Sequence, residues 1–496
     1  MRIWPLQNAV VIAAAVLLVM LSAPTSWGQT FRGSILGTVT DTTGAAVSNA
    51  TVTIHNIETG IDRITQTNVD GGYLVPELQI GAYDVSVELN GFQKAVTKGV
   101  VVDVNSEKRI DAVLKPGQVS QQVVVAGEDL PQVETTTDTL GGVLTQQTVK
   151  DLPINGRDYT KLIYLNPGVA GSPDQITDSP GSFGEFSMNG ARGRSNNYLL
   201  DGSDMNDGYR NDPAINQGGV FATPSAILPI DSIAEMRVDS NFQPEFGRNA
   251  GAVVNIVTKS GSNGFHGDVF EYFRNNALDA RNYFNTVGQP QAPFHNNQFG
   301  GSLGGPIIPN KTFFFVDYEG QRENVGVVTL DCVPEPNRIA FDNSITPPNP
   351  VTSALLRFWP QPNIGTRPVP GDPDFAAFDT GCPRGPNAQV VAPSSNNLSS
   401  FIAKIDHNFD QNNIVTGRYF FGDSTQSFPL ALNASGGQLP GFNTVTPTRV
   451  QLVSFSYVRV ISPTKENELR YGWNRFAEGF SPRTPASIRA RLDSAM

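Results

Sequence analysis

The stretch NGARGRSNNYLLDGSDMND, residues 189–207, decides how the chain is to be read. It holds Arg192 and Arg194, three aspartates at 201, 204 and 207, and the apolar run Tyr198-Leu199-Leu200 between them. It can be a catalytic constellation, a metal loop or a structural device. A catalytic reading lacks a nucleophile–base pair, and the following histidine, His266, is far away in sequence. A calcium reading fails on spacing. The aspartates recur every third residue, whereas an EF-type loop needs D-x-[DN]-x-[DN]-G. A structural device or a substrate contact stays open beside these minor readings.

The surrounding composition favours β structure. Charged residues are 16%, below the roughly 25% usual for soluble domains, and there are 48 Gly and 36 Pro among 496 residues. Such a mixture suits strands joined by many turns. The length calls for two or three domains. Net charge is −11, and no dense Lys/Arg block appears, so nucleic acid is not an expected partner. Residues 1–28 read as a signal peptide: Arg2, the apolar run AVVIAAAVLLVML (9–21), then small Ser26 and Gly28 before Gln29. That run is shorter than the ~20 residues a membrane-spanning helix needs. Export opens two classes, a soluble protein or a β-barrel. Cys332 and Cys382, both in Pro-rich surroundings, are a candidate disulfide in an oxidising compartment, with two free thiols as the alternative.

Residues 31–116 read as six or seven short strands, alternating at Val52/Ile54 and at Tyr83/Val85/Val87/Leu89. Asp70-Gly71-Gly72 and Asn90-Gly91 are turns. The pattern predicts a small β-sandwich. Gly37, Val39, Asp41, Gly44, Ala45, Val52, Asp70, Gly72, Tyr73, Leu78, Gly81, Tyr83, Val85, Gly91 and Phe92 together resemble the carboxypeptidase regulatory-like domain, which implies a non-catalytic, prealbumin-like sandwich. His55 and Glu58 have the H-x-x-E zinc spacing. On a strand, residues three apart face opposite ways, so His55 reads as a strand-end histidine and no metal or other cofactor is expected.

Residues 118–260 are mixed. Short helical pieces are expected around 146–165, then a short helix with strands Met236–Asp239 and Ala252–Lys259. Four separated motifs, LPINGRD (152–158), FSMNGARGRSNNYLLDG (186–202), IDSIAEMRV (230–238) and EFGRNAGAVVNIVTKSG (245–261), resemble the plug domain of TonB-dependent outer-membrane receptors, in the Oar-like subgroup. In that resemblance Arg192–Asn197, with Arg192, Gly193 and Asn197, is a turn into strand Tyr198–Leu200; residues 200–202, with Asp201 and Gly202, end the strand and enter a tight hairpin; and Asn189 and Gly190 are structural residues of the same plug motif. Arg192 and Arg194 are then expected to face carboxylates or a barrel wall. The Val123–Ala126 run (Val123, Val124, Val125, Ala126) reads either as one more sandwich strand or as a TonB-box-like segment that adds to a partner's sheet.

Residues 261–496 read as hairpins. In Phe401–Phe409, Phe401, Ala403, Ile405 and Phe409 alternate with Lys404, Asp406 and Asn408, as suits a wall with lipid on one side and water on the other. Phe314/Val316/Tyr318 and Leu469/Tyr471/Trp473 give aromatic-rich faces, and Gln411-Asn412-Asn413 a tight turn expected at the periplasmic end. A soluble antiparallel sandwich alternates too. Residues 331–386 read as a long outer loop. The segment holds eight or nine strands, against about 22 in barrels of this family, so a partial barrel and a C-terminally truncated fragment are expected.

The expected fold is therefore mainly β: sandwich, mixed α/β plug and the first part of a transmembrane barrel. The resemblance implies an outer-membrane receptor or transporter of a Gram-negative cell. It would take up an unidentified extracellular ligand with energy from the TonB–ExbB–ExbD complex. The alternative is an outer-membrane adhesion or surface-interaction protein without transport. An enzyme is not expected, since no G-x-S-x-G, H-E-x-x-H or P-loop is present.

Overall fold

The computed structural model describes residues 31–117, 122–126, 140–171, 186–208, 211–215, 218–220, 223–224, 226–241, 246, 250–280, 291–331, 361, 363, 388–428, 443–463 and 465–482. The stretch 1–28, expected as a signal peptide, and both cysteines of the expected disulfide lie outside the described residues.

Nine strands build the N-terminal sandwich: β1 (Gly33–Asp41), β2 (Thr51–Asn56), β3 (Asp62–Gln66), β4 (Gly72–Leu78), β5 (Gly81–Glu88), β6 (Lys94–Val102), β7 (Glu107–Arg109), β8 (Ala112–Leu114) and β9 (Gln122–Ala126). One sheet runs β4-β1-β7 with β8 also on β1; the other runs β3-β2-β5-β6-β9. Alternation along β1, β2 and β5 sends Ile35, Val39, Val52, Ile54, Val85 and Val87 into one core. Each such side chain contributes about 1.5–3 kcal/mol on burial. Asn68 organises the turn before β4, its side-chain oxygen accepting from the N–H of Asp70 and of Gly72. Gly71 has φ 73°, and a Cβ there would lie 2.4 Å from the Val39 carbonyl oxygen. The three-residue strands β7 and β8, parallel to β1, are too short to show a period in the sequence.

The central domain is a mixed sheet ordered β10-β17-β18-β13-β14. Its strands are β10 (Leu140–Thr145), β13 (Asn197–Leu200), β14 (Ser203–Asp204), β17 (Ile233–Asn241) and β18 (Val253–Thr258). Two small pairs stand apart, β11 (Val169–Ala170) with β12 (Ser187–Met188), and β15 (Gly218–Val220) with β16 (Thr223–Pro224). The expected helical pieces are α1 (Gln146–Asp151), capped by the Thr145 hydroxyl, and 3-10 turns at Tyr159–Leu165 and Ile230–Ser232. One face of the sheet, with Leu200, Met236, Val238, Val254 and Ile256, packs on Tyr159, Leu162 and Ile163.

The last sheet is an antiparallel meander, β19 (His266–Asn275), β20 (Phe294–Ile308), β21 (Thr312–Asp331), β22 (Ala388–Asp410), β23 (Asn413–Phe428), β24 (Thr444–Ser462) and β25 (Lys465–Glu478), with β26 (Ser481–Pro482) on β24. Within the segment expected as hairpins, residues 264–278 hold the one strand His266–Asn275, paired with β20. Burial on this sheet is inverted relative to a soluble protein. In β22, Lys404 and Asp406 are 3% and 2% exposed, while Ile405 and Phe409 are 50% and 61% exposed. The polar face is inside because it packs on the central domain: Ile402, Phe420, Val450 and Leu452 of the wall join the central core. Leu469, Tyr471 and Trp473 lie exposed, on the edge strand β25. That pattern excludes the soluble sandwich, whose outer face would be polar. No helix among the described residues is long and apolar enough to cross a membrane. Among the described residues β19 and β25 are the two edges of the sheet.

Candidate functional site: charged contacts between the central domain and the wall

The 189–207 stretch is a turn, a strand and a hairpin. Asn189 and Gly190 take φ 51° and 81°. A 3-10 turn at Gly193–Ser195 leads into β13. Asn196, inside the 186–202 motif but not among its named site residues, stitches it together. Its amide nitrogen donates to the carbonyls of Phe186 and Gly193, both at 2.8 Å, and its oxygen accepts from the Ala252 N–H at 2.9 Å. Asn197 accepts from the Asn206 amide at 2.7 Å, and Asn206 accepts from the Tyr198 N–H at 3.1 Å.

Asp201 ends β13 with φ 46° and turns its buried carboxylate to the wall. It accepts from the Thr258 N–H and hydroxyl, both at 2.8 Å, and from Arg418 at 2.9 Å, with Lys404 at 3.6 Å. Burial pushes its carboxyl up, but Lys404, Arg418 and the Thr258 bonds outweigh that and hold it below the usual range. Gly202 follows with φ 68°, its carbonyl accepting from Arg470 at 2.6 Å. Arg192 is exposed and Arg194 half-buried, and it is Asp201 that faces the wall. The reason is sidedness: Asp201 sits where β13 is wrapped by β22 and β23, while Arg192 precedes the strand on an open turn. The other aspartates are committed locally, Asp204 accepting from the Asn206 N–H and Asp207 from the Asp212 N–H.

A second contact uses Arg157 from the LPINGRD motif. Gly156 and Arg157 take φ 75° and 51°. The guanidinium donates to Asp231 at 2.6 Å and to Glu319 of β21 at 3.3 Å, and lies 4.1 Å from the Phe270 ring centroid. Glu319 also accepts from Gln298 at 2.6 Å. Burial pulls the Arg157 guanidinium down, but Glu319 and Asp231 outweigh it and raise it. The signal for Arg157 and for Asp231 was their motifs; Glu319, on the wall, carried none.

The Val123–Ala126 run forms most of β9, parallel to β6 with Ala95 opposite Val123 and Lys98 opposite Ala126. Val124 is exposed. His55 pairs with Asp62 at 2.6 Å, and Glu58 lies beyond the end of β2.

Residues 34–115 match the family described as carboxypeptidase regulatory-like domain, and residues 257–491 the outer membrane beta barrel domain. The TonB-dependent transporter Oar of Myxococcus xanthus is 29% identical over 329 residues. The match takes in 63% of this chain and 28% of that protein, so the chain spans less than a third of its length. Two solved structures overlap loosely. The outer membrane transporter YddB from Escherichia coli has 14% identity, 68% of this chain and 39% of that one covered, and TM-score 0.43. The siderophore receptor PirA from Acinetobacter baumannii has 15% identity, 71% and 46% covered, and TM-score 0.37. The chain is thus similar to the TonB-dependent transporter Oar, and along it a match to the carboxypeptidase regulatory-like domain precedes a match to the outer membrane beta barrel domain.

Proposed function

We propose that the protein serves active uptake of an extracellular ligand through the outer membrane, with residues 118–260 as the plug and Val123–Ala126 as a TonB-box-like segment. The observation that carries this reading is the filled inner face of the wall. Its Arg418, Lys404 and Glu319 are spent on Asp201 and Arg157 of the central domain rather than on water. Beside the shared apolar contacts of Ile402, Phe420, Val450 and Leu452, these ion pairs fix the seat of the plug, and their charges regain water when it separates. The residues are contacts and couplers; no bond in the ligand is made or broken. Energy enters when the TonB–ExbB–ExbD complex takes hold of the segment, through strand addition to Val123–Ala126. The exposed Val124 and the short parallel pairing of β9 suit such an exchange.

The test is binding of the intact purified protein to the periplasmic domain of TonB, compared with Val124→Pro. Proline removes a ladder donor and should weaken binding at least about tenfold. No binding by the intact protein, or equal binding by the variant, sinks the assignment. A bridge between Cys332 and Cys382 in the outer loop is part of the same reading; a peptide map without reductant checks it.

A further inference from the structure

The second face of the central sheet is charged yet buried. Alternation along β17 sends Met236 and Val238 into the apolar core and Glu235, Arg237 and Asp239 to the opposite face, where all three are buried. Asn255 and Val257 of β18 share that face, paired with Arg237 and Glu235. The cover is the sandwich. The turn between β6 and β7 presents Val104, whose N–H donates to the Glu235 carboxylate at 2.7 Å and whose carbonyl accepts from Arg237 at 3.4 Å. Its side chain packs with Phe31 and Val257. Two further contacts reach the short-turn end of the wall. Arg32 donates to the Thr416 hydroxyl of β23 at 3.2 Å, and Thr416 donates to Asp406 of β22 at 2.8 Å. Asn263 donates to the Thr59 carbonyl at 2.7 Å through its amide and to the Glu58 carbonyl at 3.0 Å through its backbone N–H.

The composition of this seam matters. Among the described residues its buried apolar cluster is Phe31, Val104 and Val257, with Ile80 at the side, a small patch beside these hydrogen bonds and ions. Polar interfaces between domains separate readily, because each group can return to water. We propose that the sandwich is a releasable cap on the central domain: the Glu235–Arg237 clamp on the Val104 backbone and the Arg32 contact close it, and its departure uncovers the charged face of β17. This cap stands across the side of the central domain at the short-turn end of the wall, so a plug could not rearrange toward that side while the cap is shut. That consequence rests on the uptake reading; the cap itself does not. Protonation supports the geometry. Burial, with the Asp103 carboxylate beside it, pushes the Glu235 carboxyl up to about 8 against the pull of the Val104 N–H and Lys108.

Hydrogen exchange of the full chain, read by mass spectrometry, tests the cap. Residues 103–109 should exchange at least about tenfold faster than β2 and β5, yet clearly slower than the exposed turn at 69–71, as a locally opening unit does. Glu235→Ala with Arg237→Ala should bring 103–109 to the rate of that turn while β2 and β5 stay protected. Glu235→Gln, which keeps an acceptor, should lie between. Exchange of 103–109 in step with β2 and β5 means the seam opens only when the sandwich unfolds, and overturns the proposal. So does exchange at the rate of the 69–71 turn in the native protein, or unchanged protection in the double variant. TonB binding plays no part in this readout, so its failure and that of the uptake reading are told apart.

Discussion

At the residue scale the contacts that matter are those in which one side chain serves two domains. Asp201 neutralises Arg418 and Lys404 while closing the β13 hairpin. Asp201→Asn should cost about 3–5 kcal/mol, because it strands buried cations more than it removes a bond. Denaturant unfolding followed by Trp fluorescence would show this, and a loss under about 1 kcal/mol would contradict the burial of the pair. Gly71→Ala tests the sandwich in the same way. Its φ of 73° and the Val39 carbonyl, 2.4 Å from where a Cβ would sit, leave no room for a side chain. The expected loss exceeds about 1 kcal/mol, and an unchanged midpoint would refute the turn geometry.

At the element scale, β17 and β22 are each read from two sides. In β22 the outward Ile405 faces lipid, so Ile405→Arg should cost about 2–4 kcal/mol near the membrane midplane. Outer-membrane yield should fall; unchanged yield would place that face away from lipid. In β17 the sign of a pH effect follows from Glu235. Its carboxyl is raised in the capped form, so the capped form binds a proton that the uncapped form releases. Capping is strongest below the ordinary glutamate range and is lost as pH rises through about 8. The charged groups around Glu235 are Asp103 and Lys108 from the sandwich and Arg237 and Asp239 from its own strand. Its ladder neighbours Thr145 and Val257 do not titrate in this range. Protection of residues 103–109, corrected for intrinsic exchange, should therefore fall between about pH 5.5 and 8.5, and Glu235→Gln should flatten the change. Rising protection with pH would reverse the argument.

At the scale of the molecule, three layers meet: the sandwich lies on the central sheet through a mostly polar seam, and the central sheet meets the wall through ion pairs beside a shared apolar core. The two ion-paired contacts use different wall strands, Asp201 with β22 and β23, Arg157 with β21. Independent contacts add. The double variant Asp201→Asn, Arg157→Gln should loosen the central domain more than either change alone. Limited proteolysis would show cleavage within the central domain rising while β20 to β24 remain intact. Cleavage of the wall at the same rate would mean that the layers are not separable.

The sequence by itself determined what is local. Period-two alternation placed β2, β5 and β22, Asp70-Gly71-Gly72 marked a turn, and the LPINGRD and YLLDG motifs marked where the central domain bends. These follow from φ preferences and from side chains alternating across a strand, which a short window carries in full. The tertiary structure alone decided which face of β22 is inside, since alternation names two faces and not their surroundings. It alone joined Asp201 to Arg418 and Arg157 to Glu319, 217 and 162 residues apart in the chain. It turned the polar face of β17, with Glu235, Arg237 and Asp239, into a buried clamp. Ion pairs across domains leave no period and no spacing in a sequence. They exist only once the chain has folded so that desolvated charges meet, and the energy that selects them belongs to the pair and not to either residue.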